Sequence, residues 1–336
     1  LSNESSFISL IEKLPYKIYG ELDCDIGKTY KEAFSTLLNF LSKSRPDLVL
    51  ILGDRYEIHS LASVCNILNI PIAHFHGGEI TEGAIDNNFR HSISKLSHIH
   101  FVSSELSKRR LIQMGEEKKN IFKVGACCVQ NIKKKKLKNK KNLNEDLDII
   151  FLKKTFLVTL HPETLGEKNN EKNINTLLLT LSKFKNTTII FSGCGHDQDF
   201  KIIERKILNF VKNNNSRYFF KNLGQINFLS ILKVSDIMIG NSSSGIFEAP
   251  LLKTPTLNIG LRQKGRELSR SIFCCNFQQQ EIMKNIEHIL DLLKKNRIFT
   301  KNIEYPYYGE NLYQKVKQVI EKFDLKKITL KKFHDC

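Results

Sequence analysis

An α/β fold of two Rossmann-like, doubly wound domains follows from three features of this 336-residue chain. Short apolar runs with β-branched residues alternate with segments whose apolar residues recur at helical spacing. The runs end in clusters of glycine and charged residues, as buried parallel strands do where they feed a loop. The pattern halts in a lysine-rich stretch at 133–141 and restarts beyond it. These breaks predict one domain over 1–142, a second over 150–310, and a C-terminal helix and tail over 311–336.

The elements follow in order. Apolar spacing predicts a helix over 7–14, a weak strand over 16–19 and an amphipathic helix over 28–42. The run 48–52 is a strand that exits through Gly53-Asp54-Arg55, and Ile58, Leu61, Ala62, Cys65 and Leu68 mark a helix over 57–69. A strand over 70–75 ends in His76-Gly77-Gly78-Glu79, and a helix over 86–97 carries Asp86 and Arg90 on one face. Strand 99–102, helix 105–114 and strand 121–124 complete the first series. The second series has strands at 156–160, 187–191, 218–220, 237–239 and 256–259, with helices at 173–184, 200–211, 228–234 and 246–251. A last helix is expected over 310–323.

Composition narrows the classes of function. Hydrophobic content of 41% with 26% charged residues is that of an ordinary globular chain, and no apolar run nears the roughly 20 residues of a membrane span. The residues after Leu1 lack the basic start and apolar core of a signal peptide, so the eight cysteines read as reduced and structural in a cytoplasmic protein. No cysteine pair has zinc-site spacing. His74, His76 and Glu79 lack further grouped ligands, so no metal or other cofactor is expected. A net charge of +17 raises the question of nucleic acid, but lysine outnumbers arginine 41 to 11 and the densest run, 133–141, has no aromatic residues for stacking. That run reads as a solvated linker. Neither nucleic acid nor membrane is an expected partner, whereas a basic surface suits an anionic small substrate.

In a doubly wound sheet all strands open at their carboxyl ends on one edge, where ligands bind. Asp54, Arg55, His76, Glu79, Asp86 and Arg90 therefore share a rim in the first domain, although each taken singly could be a turn former. In the second domain, Gly240-Asn241-Ser242-Ser243-Ser244-Gly245 leads into a helix. It offers unhindered backbone and hydroxyls where N–H groups and the helix dipole favour phosphate, or simply a capping loop. Arg262, Lys264 and Arg266 add positive charge on that edge.

Taken together the motifs resemble the hydrolysing UDP-N-acetylglucosamine 2-epimerases of sialic-acid-type sugar synthesis. The motifs are Gly53-Asp54-Arg55-Tyr56-Glu57, His74-Phe75-His76-Gly77-Gly78-Glu79, Asp86 with Arg90-His91-Ser92, and His161-Pro162-Glu163-Thr164. Gly240 through Glu248 and Asn258 through Arg266 complete the set. The resemblance implies the two-domain glycosyltransferase-B architecture, no metal, a homodimer or homotetramer, and conversion of the sugar nucleotide to UDP and free N-acetylmannosamine. It also implies roles. Asp54 and Asp86 match catalytic carboxylates with Arg90 beside them, His161 and Arg55 lie near the diphosphate, Ser242 and Ser243 contact the substrate's phosphates, and Asn241 is a further substrate contact. Glu248 meets the ribose and Arg262 the nucleotide.

This chain departs from the family pattern in three places. Some members carry a catalytic Glu where His76 stands, so either the imidazole or Glu79 takes that role. The loop after Phe191 has Gly193 or Gly195 where several relatives place an Asn. The family's first strand and its turn are unmatched, which leads to the expectation of a chain lacking its beginning. Other readings are the same reaction on a UDP-linked 2,4-diacetamido sugar of legionaminic acid synthesis, a glycosyltransferase of the same architecture, and a basic binding protein without activity.

Overall fold

The computed structural model describes residues 30–130, 132, 135–163, 169–193, 200–212, 214–299, 305–325 and 327–335. The helix and strand expected at 7–14 and 16–19 lie outside the described residues, as do Thr164 and Gly195. The fold is α/β with two wholly parallel sheets, one in each half of the chain.

The first half opens with α1 (Tyr30–Ser44), which buries Ala33, Leu37 and Leu41 four residues apart along one stripe. Next come β1 (Val49–Leu52), α2 (Tyr56–Ile67), β2 (Ile72–Phe75), α3 (Asp86–Leu96), β3 (Ile99–Val102), α4 (Glu105–Gln113) and β4 (Ile121–Lys123). The strands lie side by side in sequence order. β2 and β3 are buried at every position, which is why they read as unbroken apolar runs rather than alternating ones. Ser104 caps α4 by accepting from the Ser107 N–H at 3.1 Å.

The second half contains α5 (Cys127–Gln130), α6 (Lys140–Leu147), β5 (Lys154–Thr159), α7 (Asn170–Leu181), β6 (Thr187–Ser192), α8 (Phe200–Val211), β7 (Arg217–Phe220), α9 (Gly224–Val234) and β8 (Ile237–Gly240). It ends with α10 (Ser244–Phe247), β9 (Thr256–Ile259), β10 (Ile272–Cys275) and α11 (Gln279–Lys294). Strand order is β10-β9-β8-β5-β6-β7. The winding reverses between β5 and β8, so the loops leaving these two strands flank the crevice at the switch point.

Two segments differ from expectation. The lysine-rich stretch is docked only in part: Lys136, Lys140 and Lys141 are exposed, as expected of a solvated linker, but the run leads into the unanticipated helix α6 and is anchored at Lys138. The Lys138 N–H donates to Ser230 Oγ at 2.9 Å and its ammonium to Asn227 at 2.7 Å, while Leu143 is buried in the core beneath β5, β6 and β8. Sheet edge β10 and helix α11 were not anticipated. Ile282, Ile286 and Ile289 of α11 fill the core of the second half.

After α11 the chain crosses back. α12 (Leu312–Lys322) buries Leu312 and Val316 against Phe75, Phe101 and Val124, completing the first half's core. Between the halves, Ala126, Val129, Ile246, Phe247, Ile272 and Tyr307 form one apolar cluster. No described helix is long and apolar enough to cross a membrane.

Candidate active site

The loop after β2 and the loop after β9 touch face to face and close one side of a cleft between the sheets. A Cβ on Gly83 would stand 2.7 Å from the Leu261 backbone, so glycine is what permits the approach. The Glu82 N–H donates to the Lys264 carbonyl at 3.0 Å, and Arg110 donates to the Gly265 carbonyl at 3.1 Å.

In the first half, Asp54 leaves β1 just after Gly53 and is held by Arg90, whose Nε donates to Oδ2 at 2.9 Å and whose Nη2 bonds the same oxygen. The guanidinium is buried, and its Nη1 also donates to the Glu79 carbonyl at 3.0 Å and to Thr81 Oγ1 at 3.1 Å. These bonds fix the Asp54 carboxylate while leaving it 29% exposed toward the cleft. Asp86, at the first position of α3, is half-buried. Burial and then the negative charge of Asp54 raise its pKa above the ordinary carboxylate value.

His76 sits in the left-handed backbone region at φ 65°, sparsely populated by residues other than glycine, and is held there by its side-chain bonds. Its Nδ1 meets Glu79 Oε1 at 2.7 Å, and its Nε2 accepts the Cys127 N–H at 3.2 Å. In the neutral ring that amide bond makes Nε2 the acceptor and puts the hydrogen on Nδ1, where it is donated to Glu79. Burial disfavours the imidazolium, but the Glu79 carboxylate outweighs it and raises the His76 pKa. Glu79 is nearly inaccessible. Burial works against its charge, yet Arg266, His76 and the Ser103 hydroxyl at 2.6 Å hold it well below the usual carboxylate range. His76 and Glu79 are thus direct hydrogen-bond partners at the rim. His74 lies on β2 with Nδ1 on Ser94 Oγ at 3.2 Å, and burial lowers it to about 3, so it is a neutral core histidine. Among the described residues no cluster of histidine, cysteine or acid is placed to hold a metal.

In the second half, β8 ends at Gly240, where a Cβ would fall 2.0 Å from the Thr159 carbonyl. Asn241 follows. It was expected among the substrate contacts, but it is fully buried: its Oδ1 accepts the His161 N–H at 2.7 Å and its Nδ2 donates to the His161 carbonyl at 2.8 Å. Its own carbonyl accepts from Arg262 at 3.0 Å and Gln263 at 2.9 Å. Asn241 is therefore a bracket joining the loops after β5, β8 and β9, with its amide already committed. It holds His161 beside Ser242 and Ser244 on the wall of a hollow of about 650 Å³ that also takes in Gly193 and Lys221.

Asp54, His76, Glu79, Arg90, Ser243 and Glu248 meet around a second cavity, of about 260 Å³, between the halves. Burial raises Glu248 to about 7, against opposing hydrogen bonds from its own backbone, Ser244 and Cys128. The same cavity exposes Leu52, Phe75, Cys127, Cys128 and Phe247, to which the sequence assigned no role in the site, and Arg266, which it placed on that edge only as added positive charge. Arg55, Asp86, His161 and Arg262 do not line it. A larger hollow, about 880 Å³, lies between β4 and the chain's end and contains none of the candidate site residues.

A family profile described as UDP-N-acetylglucosamine 2-epimerase matches residues 7–321. The chain belongs to the UDP-N-acetylglucosamine 2-epimerase family. Within that family it is 44% identical over 264 residues to a GDP/UDP-N,N'-diacetylbacillosamine 2-epimerase (hydrolyzing) from Campylobacter jejuni, covering 78% of this chain and 69% of that one. It is 36% identical over 325 residues to polysialic acid biosynthesis protein P7 of Escherichia coli, covering 94% of this chain and 82% of the relative. Among solved structures, the Neisseria meningitidis UDP-GlcNAc 2-epimerase bound to UDP-GlcNAc superposes with a TM-score of 0.77 at 18% identity, over 94% of this chain and 88% of that one, and so shares the fold. This 2-epimerase family member thus has the expected two-sheet architecture, with the acid/base rim and the serine loop on opposite walls of one cleft.

Proposed function

We propose that the protein is a hydrolysing 2-epimerase whose substrate is a UDP-linked 2,4-diacetamido-2,4,6-trideoxyhexose, released as the 2-epimeric free sugar together with UDP. The resemblance put UDP-N-acetylglucosamine first. The 44% identical relative named for diacetylbacillosamine supports the other order. The observation that carries the reading is the mixed lining of the interdomain cavity. Beside Asp54, His76 and Arg90 the lining carries Leu52, Phe75, Cys127, Cys128 and Phe247, apolar surface that suits a sugar methyl, with Ser243, Glu248 and Arg266 as the polar groups of the second half.

In the first stage a base takes the proton from C2 while the C1–O bond to UDP breaks, leaving a C1–C2 double bond. In the second, water gives hydroxide to C1 and a proton reaches C2 from the opposite face. The inversion calls for proton carriers on both sides of the ring. Asp54, oriented by Arg90, serves one side, and His76 with its Nδ1–H held by Glu79 serves the other. Burial and the charge of Asp54 raise the Asp86 pKa, so its carboxyl holds a proton more readily than an ordinary aspartate, as a group that passes a proton to and from the sugar requires. Ser242, Ser243 and His161 receive the diphosphate, Arg55 and Arg262 supply cations to the nucleotide, and Glu248 faces the ribose.

A second reading, the same chemistry on UDP-N-acetylglucosamine, draws on the 36% identity to a polysialic acid protein over 94% of the chain. Incubation with each UDP-sugar and identification of the released sugar tests the choice. We expect kcat/KM for the diacetamido substrate to exceed that for UDP-N-acetylglucosamine by about tenfold or more, the scale on which one lost group contact discriminates. The reverse preference would overturn the substrate assignment.

A further inference from the structure

Arg266 is the one guanidinium reaching the interdomain cavity from the second half among the described residues. Its side chain is 9% exposed and stacks 4.5 Å from the centre of the Phe247 ring. Nη2 pairs with Glu79 Oε2 at 3.2 Å. Nε and Nη1 are closed off from solvent and have no hydrogen-bond partner.

Two idle donors on a buried cation are costly, because each has given up water without recovering a bond. The surrounding charges do not supply what is missing. Asp54 is committed to Arg90, and Glu79 is already shared among Arg266, His76 and Ser103. Glu248, on the same lining, is hydrogen-bonded to Ser244 and Cys128, so the cavity presents two unpartnered guanidinium donors beside Ser243, at the carboxyl edge where the anion-binding loop opens. A guanidinium in that state has its donors pointed at an anionic oxygen that arrives with the ligand.

We propose that Arg266 is a further catalytic residue: its idle Nε–H and Nη1–H groups hold the diphosphate of the sugar nucleotide as the C1–O bond breaks. The assignment rests on the 2-epimerase reading for its chemistry, and on geometry alone for its anionic ligand. As negative charge grows on the departing oxygen, these bonds strengthen, so they stabilise the transition state more than the bound substrate. The Glu79 bond fixes the guanidinium plane and couples the leaving-group side of the cavity to the His76 side.

The competing role is that of a clamp, in which Arg266 does no more than tie the halves together through Glu79. Affinities of the full chain for UDP and for uridine separate the two. Arg266→Met keeps the apolar stem over Phe247 and removes the donors. We expect it to bind UDP about tenfold or more weakly, to bind uridine within about twofold of the parent, and to lose turnover by about a hundredfold. Arg266→Lys, which keeps the charge and the fold but loses the planar fork, should fall between the two in both UDP affinity and turnover. Glu79→Gln breaks the clamp and leaves the guanidinium, so it should bind UDP nearly as the parent does.

Equal UDP affinity in Arg266→Met and the parent, a parallel loss of UDP and uridine binding in both Arg266 variants, or a loss in Glu79→Gln matching that in Arg266→Met would each overturn the proposal. If the unmodified protein releases no sugar from either nucleotide while its UDP affinity still depends on Arg266, the 2-epimerase reading falls and the diphosphate contact stands.

Discussion

The two halves solve different problems with parallel sheets that differ in strand order. In the first, the loops at the strand ends carry side chains tied to one another: Arg90 to Asp54, and Glu79 to His76 and Ser103. These bonds set protonation and orientation. In the second, the loops are held by a side chain bonded to backbone, with Asn241 bracketing His161, and the cleft is lined by the serine hydroxyls together with His161, Glu248 and Arg266. Proton transfer requires groups whose pKa values are tuned by neighbours, whereas anion holding requires donors that stay fixed at any pH. Under the proposed function, the contrast puts proton transfer in the first half and nucleotide retention in the second, with Arg266 reaching across from the second.

The largest effect that could break this division is on turnover. Asp54→Asn and Asp86→Asn each preserve shape and remove a proton carrier from the first half. Each should lower kcat by about a hundredfold or more while leaving UDP affinity close to the parent's. Loss of UDP binding in step with turnover in either variant would place that residue in nucleotide retention instead. The pH profile sharpens the test. Burial raises the Asp86 pKa, so activity that needs its carboxylate declines as pH falls through that raised value. The acid limb should move or vanish in Asp86→Asn, and a limb unchanged by the substitution would assign it to another group.

The strand-end logic was legible before any coordinates. Asp54, His76, Glu79 and Arg90 fall on one rim because parallel strands open on one edge, and spacing alone shows that. What the sequence could not show depends on the halves meeting. Arg266 reads as one more surface cation until the loop after β9 is seen against Glu79, and Asn241 reads as a ligand contact until its amide is found on the His161 backbone. The lysines at 133–141 read as solvated because charge dominates there, while Leu143 alone signals burial. By contrast, the stripe Ile282, Ile286 and Ile289 marks α11 plainly and is legible in hindsight. β10 is four residues long and partly exposed, with too little periodicity to be distinguished from a loop.

The next effect concerns retention. If the second half holds the nucleotide, UDP at 100 times its dissociation constant should stabilise the folded chain by about 2.7 kcal/mol. Amide exchange should slow first in the loops after β5 and β8, with β1 to β4 less affected. A thermal melt unmoved by UDP, or protection concentrated around α3, would reverse the division.

The smallest effect tests how the first half is kept in shape by the end of the chain. The Lys331 ammonium donates to the carbonyls of Lys95 and Ser97, each at 2.6 Å, capping the C-terminus of α3, the helix that carries Asp86 and Arg90. It also pairs at 2.7 Å with Glu116, a buried carboxylate that accepts from Lys95 and His100 as well. Burial opposes the Glu116 charge, but hydrogen bonds from His100, Lys331 and Lys95 hold its pKa down to about 2 from an ordinary 4.5. His100 is itself pushed down by burial and acts as a neutral donor, so the positive charge comes from the lysines. A depressed carboxyl contributes stability that is fully present above the unfolded value and is lost as pH falls through the folded one. Lys331→Met should therefore cost about 1–2 kcal/mol at neutral pH, with the difference from the parent narrowing between about pH 4.5 and 2. Denaturant melts across that range measure it, and exchange should rise in α3 and β4 while the second half is unchanged. A constant difference down to pH 2 would mean that Lys331 acts through the α3 carbonyls alone and that Glu116 is held by Lys95 and His100 without it.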